Sequence, residues 1–305
     1  MAISRELDKV APLAKYLGRK IVVVDVGCRW GFSDVWLPFG RNLVLIGFDA
    51  DANECERLTQ LHSNRTEVLF VPAALGSKKG QAQLHVAREP ACSSFFPPDL
   101  DVVRHRPGLE CIRPVGSTLV DLRTLDDWAE EARVGPIDYI KLDAQGAELG
   151  ILEGAERCLC SVRALEIEVM FNPIYTGEPL FGDIDRFLRA RGFSLWRLNH
   201  LVHYGMAQAK EDFEGRDVQF FDSHTAIHFA THGGQITWGH AYYVRMETAF
   251  GEQTFDWRTC LLDGCLTCAL GFRDLAGWSL ERALAHAPST ASAAIREAMQ
   301  CDSAR

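Results

Sequence analysis

Residues 21–31 read Ile-Val-Val-Val-Asp-Val-Gly-Cys-Arg-Trp-Gly, and this run limits the fold more than any other part of the chain. Its apolar stretch is unbroken and rich in β-branched residues. A strand without polar alternation is buried on both faces, as in a parallel sheet covered by helices on two sides. The run ends in Asp25, and Gly27 and Gly31 follow. Glycines there let the backbone turn tightly and let a ligand come close. A second apolar run begins at Leu43 and ends in Asp49. That acid lies about 20 residues past the first glycine, the spacing at which a carboxylate on a second strand reaches a ribose hydroxyl pair. Strand, glycine turn, helix, strand and acid together describe a site for a nucleoside-containing cofactor.

A dinucleotide needs its pyrophosphate at a helix N-terminus, usually behind a G-x-G-x-x-G turn. This turn offers only Gly27 and Gly31, with bulky Arg29 and Trp30 between them. S-adenosylmethionine carries ribose and adenine but no phosphate. It asks for one close backbone approach and for carboxylates near the ribose and the amino group. Asp25-x-Gly27-x-x-x-Gly31 with Asp49 suits that ligand better than it suits NAD.

The rest of the chain supports an α/β reading. Leu7, Val10 and Leu17, with Ile3 ahead of them, give an amphipathic lead-in helix kinked near Pro12 and ended by Gly18. Strands are expected at 20–26, at Leu43–Asp49 and at 68–73, with helices from near Ser33 and at Ala52–Leu61. This β-α-β-α-β rhythm implies right-handed crossovers and a parallel sheet. A detour over 80–122 follows: an alternating strand at 81–88, a proline-rich lid at 89–112 and a strand at 115–122. The helix Leu125–Glu131, a strand at 136–143, a helix at 147–158 and a strand at 165–171 come next. A helix through Ile184 and Leu188, a strand at 193–198 and an alternating, late antiparallel strand at Gln235–Arg245 complete the sheet. The expected architecture is one Rossmann-like domain over 1–250 and a helical extension over 251–305 packed on it.

Composition limits the partners. The 305 residues are 47% hydrophobic, with 32 Lys and Arg against 41 Asp and Glu, a formal net charge of −9. Such a chain repels polyphosphates on average, which disfavours a nucleic-acid substrate. No apolar stretch is long enough to span a bilayer, and the first nine residues lack an apolar signal core. A cytoplasmic protein is the expectation, with its ten cysteines reduced. Cys265-x-x-Cys268 has metal-ligand spacing, but Leu261, Cys265, Cys268 and Phe272 form one apolar helical stripe. Core packing is the better reading, and no metal is expected.

A second cluster, Lys141-Leu142-Asp143-Ala144-Gln145-Gly146-Ala147-Glu148, sits at the carboxyl end of the 136–143 strand. Ligands of open parallel sheets bind outside the carboxyl ends of strands, beside the point where strand order reverses. If the 20–26 and 136–143 strands flank that point, Asp25, Gly27, Asp49 and Asp143 converge on one crevice.

With these two clusters the sequence resembles the FkbM family of S-adenosylmethionine-dependent methyltransferases. The resemblance runs from Ile21 to Arg245. It includes Gly47-Phe48-Asp49-Ala50-Asp51, Ala74-Leu75-Gly76-Ser77, Ser93-Ser94-Phe95 and Thr124-Leu125-Asp126-Asp127-Trp128. Most specific is the 137–148 segment, running into Ile151-Leu152-Glu153-Gly154-Ala155; Pro179-Leu180-Phe181 and Gly234-Gln235-Ile236-Thr237-Trp238 resemble one branch of the family. The resemblance implies a class I methyltransferase sandwich that methylates hydroxyl oxygens, often on sugars or secondary metabolites. It implies that Gly27 and Gly31 wrap the methionine end, that Asp49 binds the ribose and that backbone near Ala74 contacts adenine. Four positions depart from the family pattern. Cys28 and Arg29 replace small residues, Asp49 stands where glutamate is common, and Gln145 stands where glutamate is usual.

The sulfonium methyl is already activated, so the protein has chiefly to align acceptor oxygen, methyl and sulfur. A neutral hydroxyl also needs a base. Asp143 is the first candidate, Glu148 a base, orienter or metal ligand one turn later, and Lys141 a stabiliser of a developing alkoxide. Glu148 also reads as a solvated first-turn acid, and Lys141 as half of a salt bridge. His200, His203 and His240 read as packed or surface residues. An NAD(P)-dependent oxidoreductase and a non-catalytic descendant of the fold remain alternatives. The acceptor expected is a small molecule or carbohydrate hydroxyl, and nothing in the chain declares its oligomeric state.

Overall fold

The computed structural model describes residues 2–205, 216–220, 226–230, 234–245 and 256–300. Helix α1 (Ala2–Val10) runs into a 3₁₀ turn, Ala11–Leu17, with Pro12 at its start and Gly18 left-handed at its end. Strand β1 (Ile21–Val26) is buried along its whole length, as an unbroken apolar run requires. Ile21 and Val23 enter one core while Val22, Val24 and Val26 enter another on the opposite face. Strand β2 (Leu43–Asp49), helix α2 (Ala52–Leu61) and strand β3 (Val68–Pro72) extend the parallel sheet. Asp51 caps α2 by accepting from the N–H groups of Asn53 and Glu54.

The remaining elements are β4 (Ala74–Leu75), β5 (Gly80–Ala87), α3 (Leu100–His105), β6 (Pro114–Arg123), α4 (Leu125–Glu131) and β7 (Tyr139–Leu142). They continue as α5 (Glu148–Glu153), α6 (Glu156–Leu159), β8 (Ala164–Met170), α7 (Phe181–Arg189), β9 (Phe193–Tyr204), β10 (Arg216–Phe220) and β11 (Ala226–Ala230). Last come β12 (Gln235–Arg245), α8 (Trp257–Ala269), α9 (Arg273–His286) and α10 (Ser289–Met299). Among the described residues the main sheet has nine strands in the order β10-β11-β9-β12-β8-β7-β1-β2-β3. β1, β2, β3, β7 and β8 are parallel, and β12 lies antiparallel between β8 and β9. Strand order reverses between β1 and β7, so their carboxyl ends flank a crevice.

The 80–122 detour is more ordered than a proline-rich lid suggests. β5 and β6 form an antiparallel ribbon beside β4, and residues 88–113 are an excursion between its two strands. That excursion contains α3 and two 3₁₀ turns. It is fastened to the 171–180 loop, since Asp99 N–H donates to the Ile174 carbonyl at 2.9 Å and Thr176 N–H to that of Pro97 at 2.8 Å.

Two expected helices differ. The stretch after Ser33 is 3₁₀, Asp34–Asn42, with Pro38 inside it and Gly40 off helical geometry. The helix expected over 147–158 is two short ones. At the break, a side chain on Gly154 would lie 2.1 Å from the Gly76 carbonyl, and Asp126 accepts from the N–H groups of Arg157 and Cys158. Helix α4 thereby claims, through Asp126, backbone N–H groups that a continuous helix would use.

The face of the sheet carrying Ile21 and Val23 is covered from both ends of the chain. Leu7, Val10 and Leu13 from the N-terminal segment share one core with Leu261, Leu266 and Leu280 from α8 and α9. Cys265 and Cys268 are free thiols buried in that core. Residues 251–255 and 301–305 of the expected extension, residues 246–250 before it, and the Ile3 side chain lie outside what is described. α4–α7 cover the other face, contributing Trp128, Ile151, Leu159 and Leu188.

Candidate active site

The turn after β1 is built from backbone contacts. Gly27 and Cys28 both donate N–H to the Phe48 carbonyl, at 2.9 and 3.1 Å, which ties the turn to β2. Gly27 has φ +81°, and a Cβ there would sit 1.8 Å from the Asp143 carbonyl oxygen. The close approach that glycine permits here is therefore between the loops after β1 and β7. Gly31, φ +76°, closes the turn onto the Cys28 carbonyl at 2.7 Å. The unusual Cys28 packs with Cys55, Leu58 and Phe70 beneath the turn.

A cavity of about 500 Å³ opens at these carboxyl ends, within the range of small-molecule and cofactor sites. Of the residues expected in the site, Gly27, Asp49, Ala74 and Asp143 line it. Asp25, Gly31, Lys141 and Glu148 are not among its lining residues.

Asp25 faces Lys141, whose Nζ lies 3.4 Å from both the Asp25 and the Asp143 carboxylates. Burial pushes Asp25 up to about 6, against the pull of the Lys141 charge. Burial also works against the Lys141 charge, but Asp25, Asp143 and Glu166 outweigh it and raise Lys141. For Asp143 burial is again the largest influence and acts upward. Lys141 and His240, with hydrogen bonds from Lys141 and Gln145, bring it below the usual carboxylate range. Lys141 thus holds Asp143 ionised from behind the cavity wall.

Glu148 is buried, not solvated, and its Oε1 accepts from the Ala144 N–H at 2.7 Å. Its role here is to brace the loop that carries Asp143. Burial pushes Glu148 up to about 7.

At the β2 side, Asp49 Oδ1 accepts from the Asp51 N–H at 2.8 Å; a carboxylate has room for further donors. Burial raises Asp49, opposed by that N–H and by Arg29. Arg29 and Trp30 also line the cavity, and Arg29 Nη1 lies 3.4 Å from Asp51 Oδ2.

The structure adds Glu168, which sequence reasoning missed. It lies on β8, is 5% exposed and lines the cavity beside Asp143 and Gln145. Gln145 Nε2 donates to Glu168 Oε2 at 2.8 Å and reaches Asp143 Oδ1 at 3.4 Å. Its Oε1 accepts from the Tyr175 hydroxyl at 3.1 Å, and its carbonyl from the Ser94 hydroxyl at 2.6 Å. Burial, then the charges of Asp143 and Glu148, push Glu168 upward. A signal was present: Glu166 and Glu168 interrupt a strand buried on both faces, and a buried acid needs a partner or a task. Glu166 has partners, the Tyr139 hydroxyl and His240 Nδ1, both at 2.8 Å. That contact accounts for His240 as a packed residue. Among the described residues no group of three His, Cys, Asp or Glu side chains is placed to hold a metal ion.

An inverted strand beyond the switch point, set between β8 and β9, separates this sheet from dinucleotide-binding sheets and puts it with the Rossmann-like methyltransferases. The chain belongs to the FkbM methyltransferase family: the family model described as "Methyltransferase FkbM domain" matches residues 33–195. It is 25% identical over 170 residues to the 2-O-methyltransferase NoeI of Sinorhizobium fredii, covering 54% of this chain and 70% of that protein. Among solved structures it is similar to magnesium protoporphyrin IX methyltransferase from Synechocystis with bound S-adenosylmethionine. That likeness is 13% identical, has a TM-score of 0.33 and covers 78% of this chain and 79% of the other. An rRNA methylase from Streptococcus thermophilus gives 11% identity and a TM-score of 0.35, covering 81% of this chain and 97% of the other. FkbM methyltransferases use S-adenosylmethionine, and that is the cofactor of this chain. The cavity fits it: an acid at the end of β2 and a tight glycine turn after β1 meet on its wall. The dehydrogenase alternative falls with this assignment. No helix among the described residues is long and apolar enough to cross a membrane.

Proposed function

We propose that this methyltransferase moves a methyl group to a hydroxyl oxygen of a small molecule, sugar or glycoconjugate. The observation carrying this reading is the pair of carboxylates, Asp143 and Glu168, side by side in one cavity with opposite shifts. Two acids pushed apart in this way divide the work of orienting and deprotonating a hydroxyl. The bound cofactor supplies an electrophilic methyl on a sulfonium. Asp49 accepts hydrogen bonds from the ribose hydroxyls, and backbone at Gly27 and Ala74 shapes the cofactor wall. Asp25 acts behind that wall, sharing Lys141 with Asp143. Asp143, kept ionised by Lys141, accepts a hydrogen bond from the acceptor hydroxyl and orients it. Glu168, raised by burial and by the charges of Asp143 and Glu148, is the stronger base of the two carboxylates and takes the proton. The reading takes no nucleic acid as acceptor, which the net charge of −9 disfavours, and puts the enzyme in the cytoplasm, where its described cysteines, all free, stay reduced.

Calorimetric titration with S-adenosylhomocysteine tests the cofactor wall. Asp49→Ala should weaken binding roughly 10- to 100-fold, the worth of one or two charge-assisted hydrogen bonds. Binding of NAD in place of the thioether would overturn the reading. Thioether binding with no methyl transfer to any hydroxyl would mark a non-catalytic descendant.

A further inference from the structure

The cavity is walled by two separate apolar clusters. Val26, Phe48, Leu75 and Ile151 belong to the core under α4–α7, and they stand with Gly27, Asp49 and Ala74 at the β1–β2 side. Leu109, Ile112, Met170, Ile174, Tyr204 and Trp238 belong to a third cluster, built from the lid, β8, the 171–180 loop, β9 and β12. Asp143, Gln145 and Glu168 lie where the two halves meet, Glu168 being two residues before Met170 on the same face of β8.

The polar side chains next to the second half are already engaged. The Ser93 hydroxyl accepts from the Ala87 N–H at 3.2 Å. The Gln145 amide serves Asp143, Glu168 and Tyr175. The Trp238 indole N–H points to the Tyr204 hydroxyl at 3.5 Å. The free thiols of Cys92 and Cys111 pair with each other by a hydrogen bond. What this half offers a ligand is a wall of aliphatic and aromatic surface and, at its inner edge, two carboxylates.

Building on the proposed methyl transfer, we infer that the acceptor is a compact apolar ring molecule carrying a single hydroxyl, not a sugar. The chamber of Leu109, Ile112, Met170, Ile174, Tyr204 and Trp238 encloses its carbon skeleton and turns the hydroxyl toward Asp143 and Glu168. A free sugar would bring several hydroxyls into this chamber, and each one left without a partner costs about 1–3 kcal/mol. An apolar ring gains from contact with the same walls, to which Tyr204 and Trp238 contribute ring edges.

The test is calorimetric titration of the full chain with 1-naphthol and with methyl β-glucopyranoside, each without and with saturating S-adenosylhomocysteine. 1-Naphthol should bind at least about tenfold more tightly than the glycoside. Trp238→Ala and Ile112→Asn should each weaken naphthol about tenfold or more while leaving the affinity for S-adenosylhomocysteine unchanged. The thioether titration also shows that each variant is folded. Glycoside binding equal to or tighter than naphthol binding overturns the inference. So does naphthol binding that neither folded variant alters, because the ring is then held elsewhere. Failure of the thioether to bind strikes the cofactor reading instead, and the two titrations on the free protein still decide the chamber.

Discussion

Single side chains at this site act mostly on one another. The Gln145 amide does what a third carboxylate cannot, donating to Glu168 and toward Asp143 at once. The left-handed backbone at Gln145, φ +53°, holds that amide between them. Glu178 supports the same loop cluster from behind. Its Oε1 accepts from the N–H groups of Ile174 and Tyr175, at 2.6 and 2.8 Å, while its Oε2 is buried without a partner. Burial pushes Glu178 up to about 7, from an ordinary value of 4.5. The folded protein therefore holds this proton more tightly than the unfolded chain does. Glu178's contribution to stability is fully present below pH 4.5 and is lost as pH rises through about 7. Glu178→Gln should remove that loss. The variant's urea midpoint should exceed that of the parent at pH 8 relative to the difference at pH 4.5.

At the scale of elements, the two ends of the chain act as a wall of the sheet. α8 carries Asp263, whose carboxylate meets Arg163 in two bonds of 2.8 Å, with side chains 6% and 13% exposed. Arg163 immediately precedes β8, so this pair fixes the helix to the strand that presents Glu168. Breaking a buried pair leaves an uncompensated charge. Asp263→Ala should cost about 3–5 kcal/mol in a denaturation experiment. The loss should be larger than that from Asp183→Ala, whose partner Arg186 is exposed. Elements were legible wherever periodicity was strong. Leu43–Asp49, Ala52–Leu61, Leu125–Glu131 and Gln235–Arg245 keep the bounds expected from their sequence. The 147–158 segment did not, because Gly154 packs against the Gly76 carbonyl and Asp126 of α4 takes the N–H groups of Arg157 and Cys158, a demand that no local pattern records.

For the whole molecule, the helices after residue 256 are continuous with the core under β1 and β2. A chain ending at residue 250 would uncover Ile21, Val23, Leu43 and Leu45 on one sheet face. It should lose the cooperative thermal transition of the full chain, as calorimetry or near-ultraviolet dichroism would show. A truncated chain that melts cooperatively would make the helices a dispensable appendage. By itself the sequence determined the parallel sheet, the turn after β1, the acid after β2 and the loop bearing Asp143. Each of these is written in neighbouring residues, as apolar period, glycine and carboxylate. Only the tertiary structure decided that Gly27 makes room for the Asp143 carbonyl, that Glu148 turns inward, and that Glu168 joins Asp143. It alone raised the chamber of Leu109, Met170 and Trp238. Periodicity tells a residue which side of its own element is buried, while a cavity depends on which distant elements meet, and that is settled only when the chain packs.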